Sequence, residues 1–443
     1  KNLTINETYK RTMVGQSETP EILNLRTINR TAIVDFTNNQ AQVTQSIKQR
    51  EITFHMRRIF TKGFYYNINL IDNTYSEPTK ANRQTASGFT MLLNDIGVAK
   101  LVIENRASAK LLPDSIIEAS PFYMLSIKLP NGERLKVNID QQTGLIQRTL
   151  REHPSVGLIR TEFSNIVHRD NFTYAKDTEV FFNQALAMVV IDREVTLNTK
   201  LAKSFASYSQ YQQRNKDLYP AKMTVRQLSK NIYLVGKAAV HSLFVVNGNK
   251  VIGAESYAGV VERFEVLKKY LAKPLVLTDL VVTHHHSDHL SGVHELANLE
   301  TNIITVKAHR QEILKRMPED FNESRLVFVD ESLTLNNSIN RHVTESNTTV
   351  NSNTVNIFDI TTAHSAHNLI LFLPAQKLVY AADYYRSSNE GEEIIGFTDL
   401  INFRNAIDKL NIQAEKFASV HGIRILTYQQ LVNATDNFHP YDL

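Results

Sequence analysis

The stretch Val281-Val282-Thr283-His284-His285-His286-Ser287-Asp288-His289 decides how this chain is interpreted. Four of the 15 histidines fall within its last six residues, directly after the apolar strand candidate 275–283. Side chains two apart in an extended segment point to the same side, so His284 and His286 share one face. Asp288 and His289 begin the turn that follows and can face a second ion. Imidazoles with a carboxylate and no thiolate suit Zn²⁺, with Fe or Mn as alternatives.

The competing interpretation is a histidine-rich loop without function. Four imidazoles buried together without a ligand would be unsatisfied, or mutually repelling once protonated. A strand end followed by a turn with this spacing is also an improbable accident on a surface. The pattern therefore indicates a metal site.

The composition is that of an ordinary globular protein of more than one domain. The chain has 443 residues, a net charge of +4 and no cysteine. The small net charge argues against a dedicated nucleic-acid binder. No apolar run approaches the ~20 residues of a spanning helix. The absence of cysteine excludes disulfides, thiolate metal sites and a cysteine nucleophile.

Residues 1–200 are predicted to form a β-rich accessory domain, with a linker at 201–222. Residues 122–139 read as a hairpin around Pro130-Asn131-Gly132, because Asn-Gly is a favoured tight-turn pair. Residues 177–198 fit either a helix or strands. The segment 135–151, LKVNIDQQTGLIQRTLR, resembles lipoprotein-sorting half-barrels of the LolA type, which would wrap an apolar groove.

Residues 223–443 show strands alternating with helices, which indicates a layered α/β domain. Helices are predicted over 260–271 and 290–299, with a buried strand over 275–283. Residues 336–353 are rich in Asn, Ser and Thr and are predicted to form a loop or hairpin tip.

Three later motifs follow the histidine-rich stretch in order. Each places a His or an Asp just after an apolar run: His364, Asp383 and His421. Together with the first stretch, this series resembles the signature of the metallo-β-lactamase superfamily of hydrolases. The resemblance covers residues 223–443, about half of the chain.

The resemblance implies a four-layer αββα sandwich with two metal ions, normally Zn²⁺, at one edge of its two sheets. His284, His286 and His364 would hold the first ion. Asp288, His289 and His421 would hold the second, and Asp383 would lie between the two ions. The implied reaction is hydrolysis of an ester, thioester, lactone or related bond by a hydroxide that bridges the ions, with Asp288 as proton acceptor.

Two departures from the family pattern carry information. The bridging position is Asp383 rather than Cys or Ser, which disfavours a penicillin-type substrate. Many members also place an Asp after an early strand to support the metal loop. In this chain the corresponding stretch contains Glu255, so either Glu255 takes that role or the support is missing.

Residues close to the ligands in sequence are the candidates for substrate contact. They are His241, His367, Asn368, Tyr385 and Arg386. His285 is expected to pack or support rather than to bind metal, because it points away from its two neighbours.

Two rival functions are kept. The first is a di-iron redox enzyme of the same fold, such as a persulfide dioxygenase or a flavo-diiron protein. Flavo-diiron proteins resemble this ligand set but carry a Glu in place of one His, so the presence of His286 favours hydrolysis. The second is a non-enzymatic binder of a lipid or apolar ligand with a structural metal site.

A small-molecule substrate and a homodimer are the expected partners, with no nucleic acid. The first residue, Lys1, favours a processed periplasmic or secreted protein over a cytoplasmic one.

Overall fold

The chain forms two compact units. One comprises Lys1–Met13 and Leu25–Arg214, and the other comprises Val14–Asn24 and Asn215–Leu443. The short segment Val14–Asn24 thus belongs to the C-terminal unit, although the sequence assigned it to the N-terminal domain. The computed structural model describes residues 1–13, 15–21, 24–49, 52–70, 73–117, 120–153, 157–169, 171–199, 205, 207–214, 220–335, 354–385 and 398–438.

The N-terminal unit is mainly β-sheet, as predicted. Its elements are β1 (Asn2–Met13), β2 (Asn24–Asp35), β3 (Gln40–Gln49), β4 (Ile52–Thr61), β5 (Phe64–Asn69), β6 (Thr74–Tyr75), β7 (Thr79–Lys80), α1 (Arg83–Leu92), α2 (Asp95–Glu104), β8 (Lys110–Ile117), β9 (Ser120–Lys128), β10 (Arg134–Asp140), β11 (Ile146–His153), β12 (Gly157–Arg169), β13 (Phe172–Phe182), β14 (Ala185–Leu197) and β15 (Gln212–Gln213).

Most consecutive strands of this unit pair antiparallel, while β1 also pairs with β14 and β15 pairs parallel to β6. The order among the described strands is β15-β6-β5-β4-β3-β2-β1-β14-β13-β12-β11-β10-β9-β8, with β7 on β5. The predicted hairpin is confirmed, since β9 and β10 pair across its turn. The ambiguous residues 177–198 lie in β13 and β14, so the strand alternative is correct. Met91 of α1 and Val98 and Leu101 of α2 pack into the main apolar core of the unit.

The C-terminal unit contains two sheets. Its elements are β16 (Thr224–Ser229), β17 (Ile232–Lys237), β18 (Val240–Asn247), β19 (Lys250–Ala254), α3 (Val260–Leu271), β20 (Val276–Val281), β21 (Asn302–Thr305), α4 (Arg310–Leu314), β22 (Leu326–Phe328), β23 (Ser332–Leu335), β24 (Val355–Ile360), β25 (Asn368–Leu373), β26 (Leu378–Tyr380), α5 (Thr398–Lys409), β27 (Lys416–Ala418), β28 (Leu426–Thr427) and α6 (Tyr428–Asp436). Strands β16 to β22 form the first sheet and β23 to β28 the second, each in sequence order.

Three apolar cores stack these elements into four layers. The central core joins the sheets, for example through Leu243 of β18 and Leu371 of β25. A second core packs α3 on the outer face of the first sheet. A third packs α5 and α6 on the outer face of the second sheet, with Phe403 beside Phe417. Because both faces of each sheet are covered, successive strand residues are apolar. The predicted αββα sandwich is confirmed.

Local predictions in this unit have mixed outcomes. The helix over 260–271 is confirmed as α3. The helix over 290–299 is wrong, because only a short 3₁₀ turn forms at Val293–Leu296. That apolar run instead buries Leu290, Val293 and Leu296 beneath the first sheet. Residues 336–353 lie outside the described residues. None of the helices in the described ranges is long and apolar enough to span a membrane.

Candidate metal centre

The predicted ligands follow the carboxyl ends of strands from both sheets. His284, His286, Asp288 and His289 come after β20 of the first sheet. His364, Asp383 and His421 come after β24, β26 and β27 of the second. Strands β26 and β27 run parallel, so the chain leaves both at the same edge. Ligand sites in α/β sheets commonly lie at this kind of edge.

The seven residues gather into two groups. Group A is His284, His286, His364 and Asp383, and group B is Asp288, His289 and His421. Within each group, one ligand atom from every residue lies within 4.8 Å of the others. This spacing matches residues that surround a single ion.

Asp383 reaches both groups. Its Oδ2 lies 3.5 Å from His364 Nε2 in group A. Its Oδ1 lies 3.2 Å from His289 Nε2 and 3.1 Å from His421 Nε2 in group B. A carboxylate placed in this way can bind one ion with each oxygen.

Four of the five histidines in the groups have an oxygen partner on the ring nitrogen that faces away. His284 Nδ1 lies 3.0 Å from Thr283 Oγ1, and His289 Nδ1 lies 2.5 Å from Glu255 Oε2. His421 Nδ1 lies 3.3 Å from the carbonyl of Ala239, and His286 Nε2 lies 3.0 Å from the carbonyl of Ser17. Since these oxygens accept N–H, the opposite nitrogens keep a lone pair for a metal.

Orphaned acceptors show that a cation fits this site. His286 Nδ1 is buried and has no hydrogen-bond partner among the described residues. Asp383 Oδ1 lies close to two imidazoles, yet neither pair has hydrogen-bond geometry within the described part of the chain. Buried polar atoms are rarely left unsatisfied. A buried imidazole nitrogen and a buried carboxylate oxygen that lack a hydrogen-bond partner are atoms that a divalent ion could satisfy.

Electrostatics differ between the two groups. Burial lowers the pKa of His284 far below its usual range and that of His286 to about 4, so both rings are neutral. Burial also opposes a charge on His289, but Glu255 and Asp383 outweigh it and raise the pKa of His289. Burial likewise opposes the charge of Asp383, but His289 and His421 outweigh it and hold the Asp383 pKa well below its usual range. Group A therefore contains two neutral imidazoles, whereas in group B the carboxylates of Glu255 and Asp383 favour the charged form of His289.

Two strained backbone positions adjoin the ligands. Glu255 has φ 80° and Ala382, just before Asp383, has φ 44°. A non-glycine residue in this region costs on the order of 1–3 kcal/mol, and such residues cluster at functional sites. Here the strain directs the Glu255 carboxylate to His289 and brings Asp383 into the centre.

Glu255 supplies the support that the sequence left open. Its Oε1 accepts a hydrogen bond from Thr283 Oγ1 at 2.9 Å, while Oε2 faces His289. The Thr283 hydroxyl, having donated to Glu255, accepts from His284 Nδ1. One carboxylate therefore orients a histidine in each group.

The segment 15–18, within the C-terminal unit, also contacts the centre. Gln16 Nε2 donates to Asp288 Oδ1 at 2.5 Å. The Ser17 carbonyl accepts from His286 Nε2, as described above. Backbone bonds fix the segment, with Ser287 N donating to Gly15 O at 2.8 Å and Ala366 N donating to Glu18 O at 2.8 Å. The loops that carry both ligand groups are thus tied to this short segment.

The candidates for substrate contact fare differently. His241, Asn368 and Tyr385 are buried, with at most 1% of each residue exposed. His241 is buried in β18, Asn368 in β25 and Tyr385 just after Asp383. This burial argues against substrate contact for all three. The side chain of His367 is 45% exposed, and its Nδ1 lies 2.7 Å from Asp359 Oδ2. Arg386 lies outside the described residues.

Several residues at the centre were not identified from the sequence. Tyr257 lies against group B, and its hydroxyl donates to Asp288 Oδ2 at 2.7 Å. Asp399 of α5 lies with Oδ2 3.9 Å from His364 Nδ1. Tyr257 lies two residues after Glu255, so its position in the sequence could have indicated that it lies near the centre. Gln16 is 272 residues from Asp288, and no local pattern links them.

Part of the C-terminal unit matches a known family model. Residues 256–411 match the family model described as the metallo-beta-lactamase superfamily. No curated protein matches the chain.

Solved structures, among them metallo-beta-lactamases, are similar to about half of the chain. TMB-1 has 19% identity over 48% of this chain and 95% of its own, with a TM-score of 0.35. A metallo-beta-lactamase from Pontibacter korlensis has 15% identity over 49% of this chain and 100% of its own, also with a TM-score of 0.35. The metal-soaked flavodiiron core of Flv1 from Synechocystis has 11% identity over 48% of this chain and 59% of its own, with a TM-score of 0.37.

Proposed function

We propose that the metallo-beta-lactamase superfamily domain of this chain is a dinuclear metal-dependent hydrolase. One observation carries the proposal: Asp383 places one carboxylate oxygen beside group A and the other beside group B. A carboxylate shared in this way suits two adjacent ions better than one. Zn²⁺ is the first choice for five imidazoles and two carboxylates, and Fe or Mn are alternatives.

The ions would supply a water of near-neutral pKa and polarise the bond under attack. The residues of the chain supply the rest. Thr283, Glu255 and the carbonyls of Ser17 and Ala239 orient the imidazoles, so that little reorganisation is needed during the reaction. The carboxylate of Asp288 accepts hydrogen bonds on both oxygens, and we propose that it takes up the proton lost by the attacking water.

The proposed substrates are esters, thioesters or lactones. The resemblance described in the sequence analysis supports this choice, because Asp383 stands at the bridging position in place of the Cys or Ser expected for a penicillin-type substrate. Among the candidates for substrate contact that the structure describes, His367 has an exposed imidazole, and we propose that it contacts the substrate.

The first test is metal content per chain, measured by plasma mass spectrometry on full-length protein purified without chelator or immobilised nickel. We expect about two ions per chain, predominantly Zn²⁺. Two Fe per chain would support the redox alternative instead. Little metal, not restored by added Zn²⁺, would contradict the proposal.

The second test replaces the shared carboxylate. Asp383→Asn is expected to remove one ion and to lower ester hydrolysis at least ~100-fold, since loss of outer partners alone costs about 10–100-fold. Asp408→Asn is the control, because the Asp408 side chain lies on α5 with 49% exposure and belongs to neither group. Unchanged metal content and activity in Asp383→Asn would show that Asp383 does not bridge.

A further inference from the structure

Segment 15–18 reaches the metal centre from outside the part of the chain that matches the family model, residues 256–411. It lies in the connection between β1, which ends at Met13, and β2, which begins at Asn24. Both strands are neighbours in the sheet of the N-terminal unit. The centre therefore receives contacts from a connection between two strands of the accessory domain.

Two backbone hydrogen bonds place this segment across loops of both sheets. The carbonyl of Gly15 accepts from Ser287 N, and the carbonyl of Glu18 accepts from Ala366 N, each at 2.8 Å. Ser287 lies in the loop that follows β20 of the first sheet, and Ala366 lies in the loop that follows β24 of the second. The segment thus joins the two loops that carry the histidines of group A.

The two residues between these bonds contact one ligand in each group. Gln16 Nε2 donates to Asp288 Oδ1 of group B at 2.5 Å. The carbonyl of Ser17 accepts from His286 Nε2 of group A at 3.0 Å. Because the two contacts come from consecutive residues, any shift of the segment changes both of them together.

The fit of the segment against the first loop leaves no space. Gly15 has φ 67°, a conformation that side chains disfavour. A Cβ at this position would lie 3.0 Å from the Cβ of Ser287. Both the backbone conformation and the close approach therefore require glycine, and a methyl group here would push the segment away from the ligand loop.

The strands on either side of the segment are tied to each other. The buried carboxylate of Glu7 in β1 accepts from Arg30 in β2 and from Arg193 in β14. On the other face, Thr8 Oγ1 of β1 donates to Asn29 Oδ1 of β2 at 2.8 Å. The two ends of the connection therefore start from strands whose mutual position is fixed.

We propose that Gln16 and Ser17 are positioning residues for Asp288 and His286, and that β1 and β2 hold them in place. The N-terminal unit would then set the metal affinity of the centre through the chain itself. This inference rests on the proposed metal-dependent function. By linkage, a bound ion stabilises the positioned segment by the same free energy by which the segment stabilises the ion.

The first experiment displaces the segment in full-length protein that is stripped of metal and titrated with Zn²⁺ against a competing chelator. Gly15→Ala is expected to weaken binding at least ~10-fold, because outer partners of both groups move. Gly63→Ala is the matched control, since Gly63 also has a positive φ and its Cβ would meet no atom of the described residues within 4 Å. The visible spectrum of Co²⁺-loaded protein should change in Gly15→Ala alone. Wild-type affinity in Gly15→Ala would overturn the inference.

The second experiment loosens the hold of the strands and leaves residues 15–18 intact. Short flexible Gly-Ser insertions are placed both after Met13 and before Asn24. We expect about a 10-fold loss of Zn²⁺ affinity. The same insertion at Gly132, in the turn between β9 and β10, is the control and should leave the affinity unchanged. Unchanged affinity with the insertions around the segment would show that β1 and β2 do not position it.

Hydrogen exchange of wild type tests the inference even if a variant does not fold. Residues 15–21 contain no proposed ligand, yet Zn²⁺ should slow exchange of their amides by the linkage given above. Two bound ions without any slowing would contradict the role of the segment while the dinuclear site stands. Fewer than two bound ions in wild type would instead contradict the proposed function.

Discussion

At the scale of single residues, the side chains around the ligands act mainly by orienting the histidine rings. Glu255 is the clearest case, because its two oxygens contact Thr283 and His289. Through Thr283 it also sets the tautomer of His284. Outer partners of this kind raise the basicity of the ligand and hold its ring in place.

We expect Glu255→Gln to weaken metal binding by about 10–100-fold, with the larger effect on the ion at group B. The amide keeps the shape but loses the charge that favours a proton on His289 Nδ1. Equilibrium titration with Zn²⁺ against a competing chelator measures the effect. Glu262→Gln is the control, because that side chain lies on α3 with 61% exposure. Equal affinities for wild type and Glu255→Gln would show that the carboxylate does not support the ligands.

At the scale of elements, loops rather than helices and strands carry the chemistry. The strands end just before the ligands, and the loops beyond them hold the side chains. Segment 15–18 is such a loop and is bound to the Ser287 and Ala366 backbones. Because it donates to Asp288 and accepts from His286, it contacts both ligand groups.

Gln16→Ala is expected to lower the affinity for the second ion about 10-fold, because Asp288 Oδ1 loses its amide donor. Glu18→Ala is a control in the same segment. Its exposed side chain is removed, while its backbone carbonyl still accepts from Ala366 N. Metal titration of both variants measures the effect. A loss of affinity in both would point to the conformation of the segment, and no loss in Gln16→Ala would exclude the side chain from the site.

At the scale of the whole molecule, each ligand group joins the two sheets. Group A takes His284 and His286 from the first sheet and His364 from the second. Group B takes Asp288 and His289 from the first sheet and His421 from the second. An ion at either group would therefore link the inner layers of the sandwich across their shared edge.

Chelation should lower the melting temperature of the C-terminal unit. An ion at 100 times its dissociation constant stabilises the folded state by about 2.7 kcal/mol per site. Differential scanning calorimetry of full-length protein with Zn²⁺ and with chelator measures the shift, which should be smaller in Asp383→Asn. The same melting temperature under both conditions would show that no ion links the sheets.

The sequence by itself determined the fold class and the set of candidate ligands. The resemblance to the metallo-β-lactamase superfamily supplied His364, Asp383 and His421 and the division into two ligand groups. Runs of apolar residues predicted the buried strands, and the spacing within 284–289 predicted a metal site. Both are local signals, because a strand end directs its next few side chains by backbone geometry alone. The strand candidate 275–283 and the helix α3 were found for the same reason.

Only the tertiary structure decided which other side chains reach the centre. Tyr257 and Gln16 come from separate loops, and His241, Asn368 and Tyr385, which are near ligands in sequence, are buried away from solvent. The run 290–299 forms a 3₁₀ turn because its apolar side chains pack beneath the first sheet. Contacts between distant segments depend on how the layers pack, and local propensity and spacing contain no information about that packing.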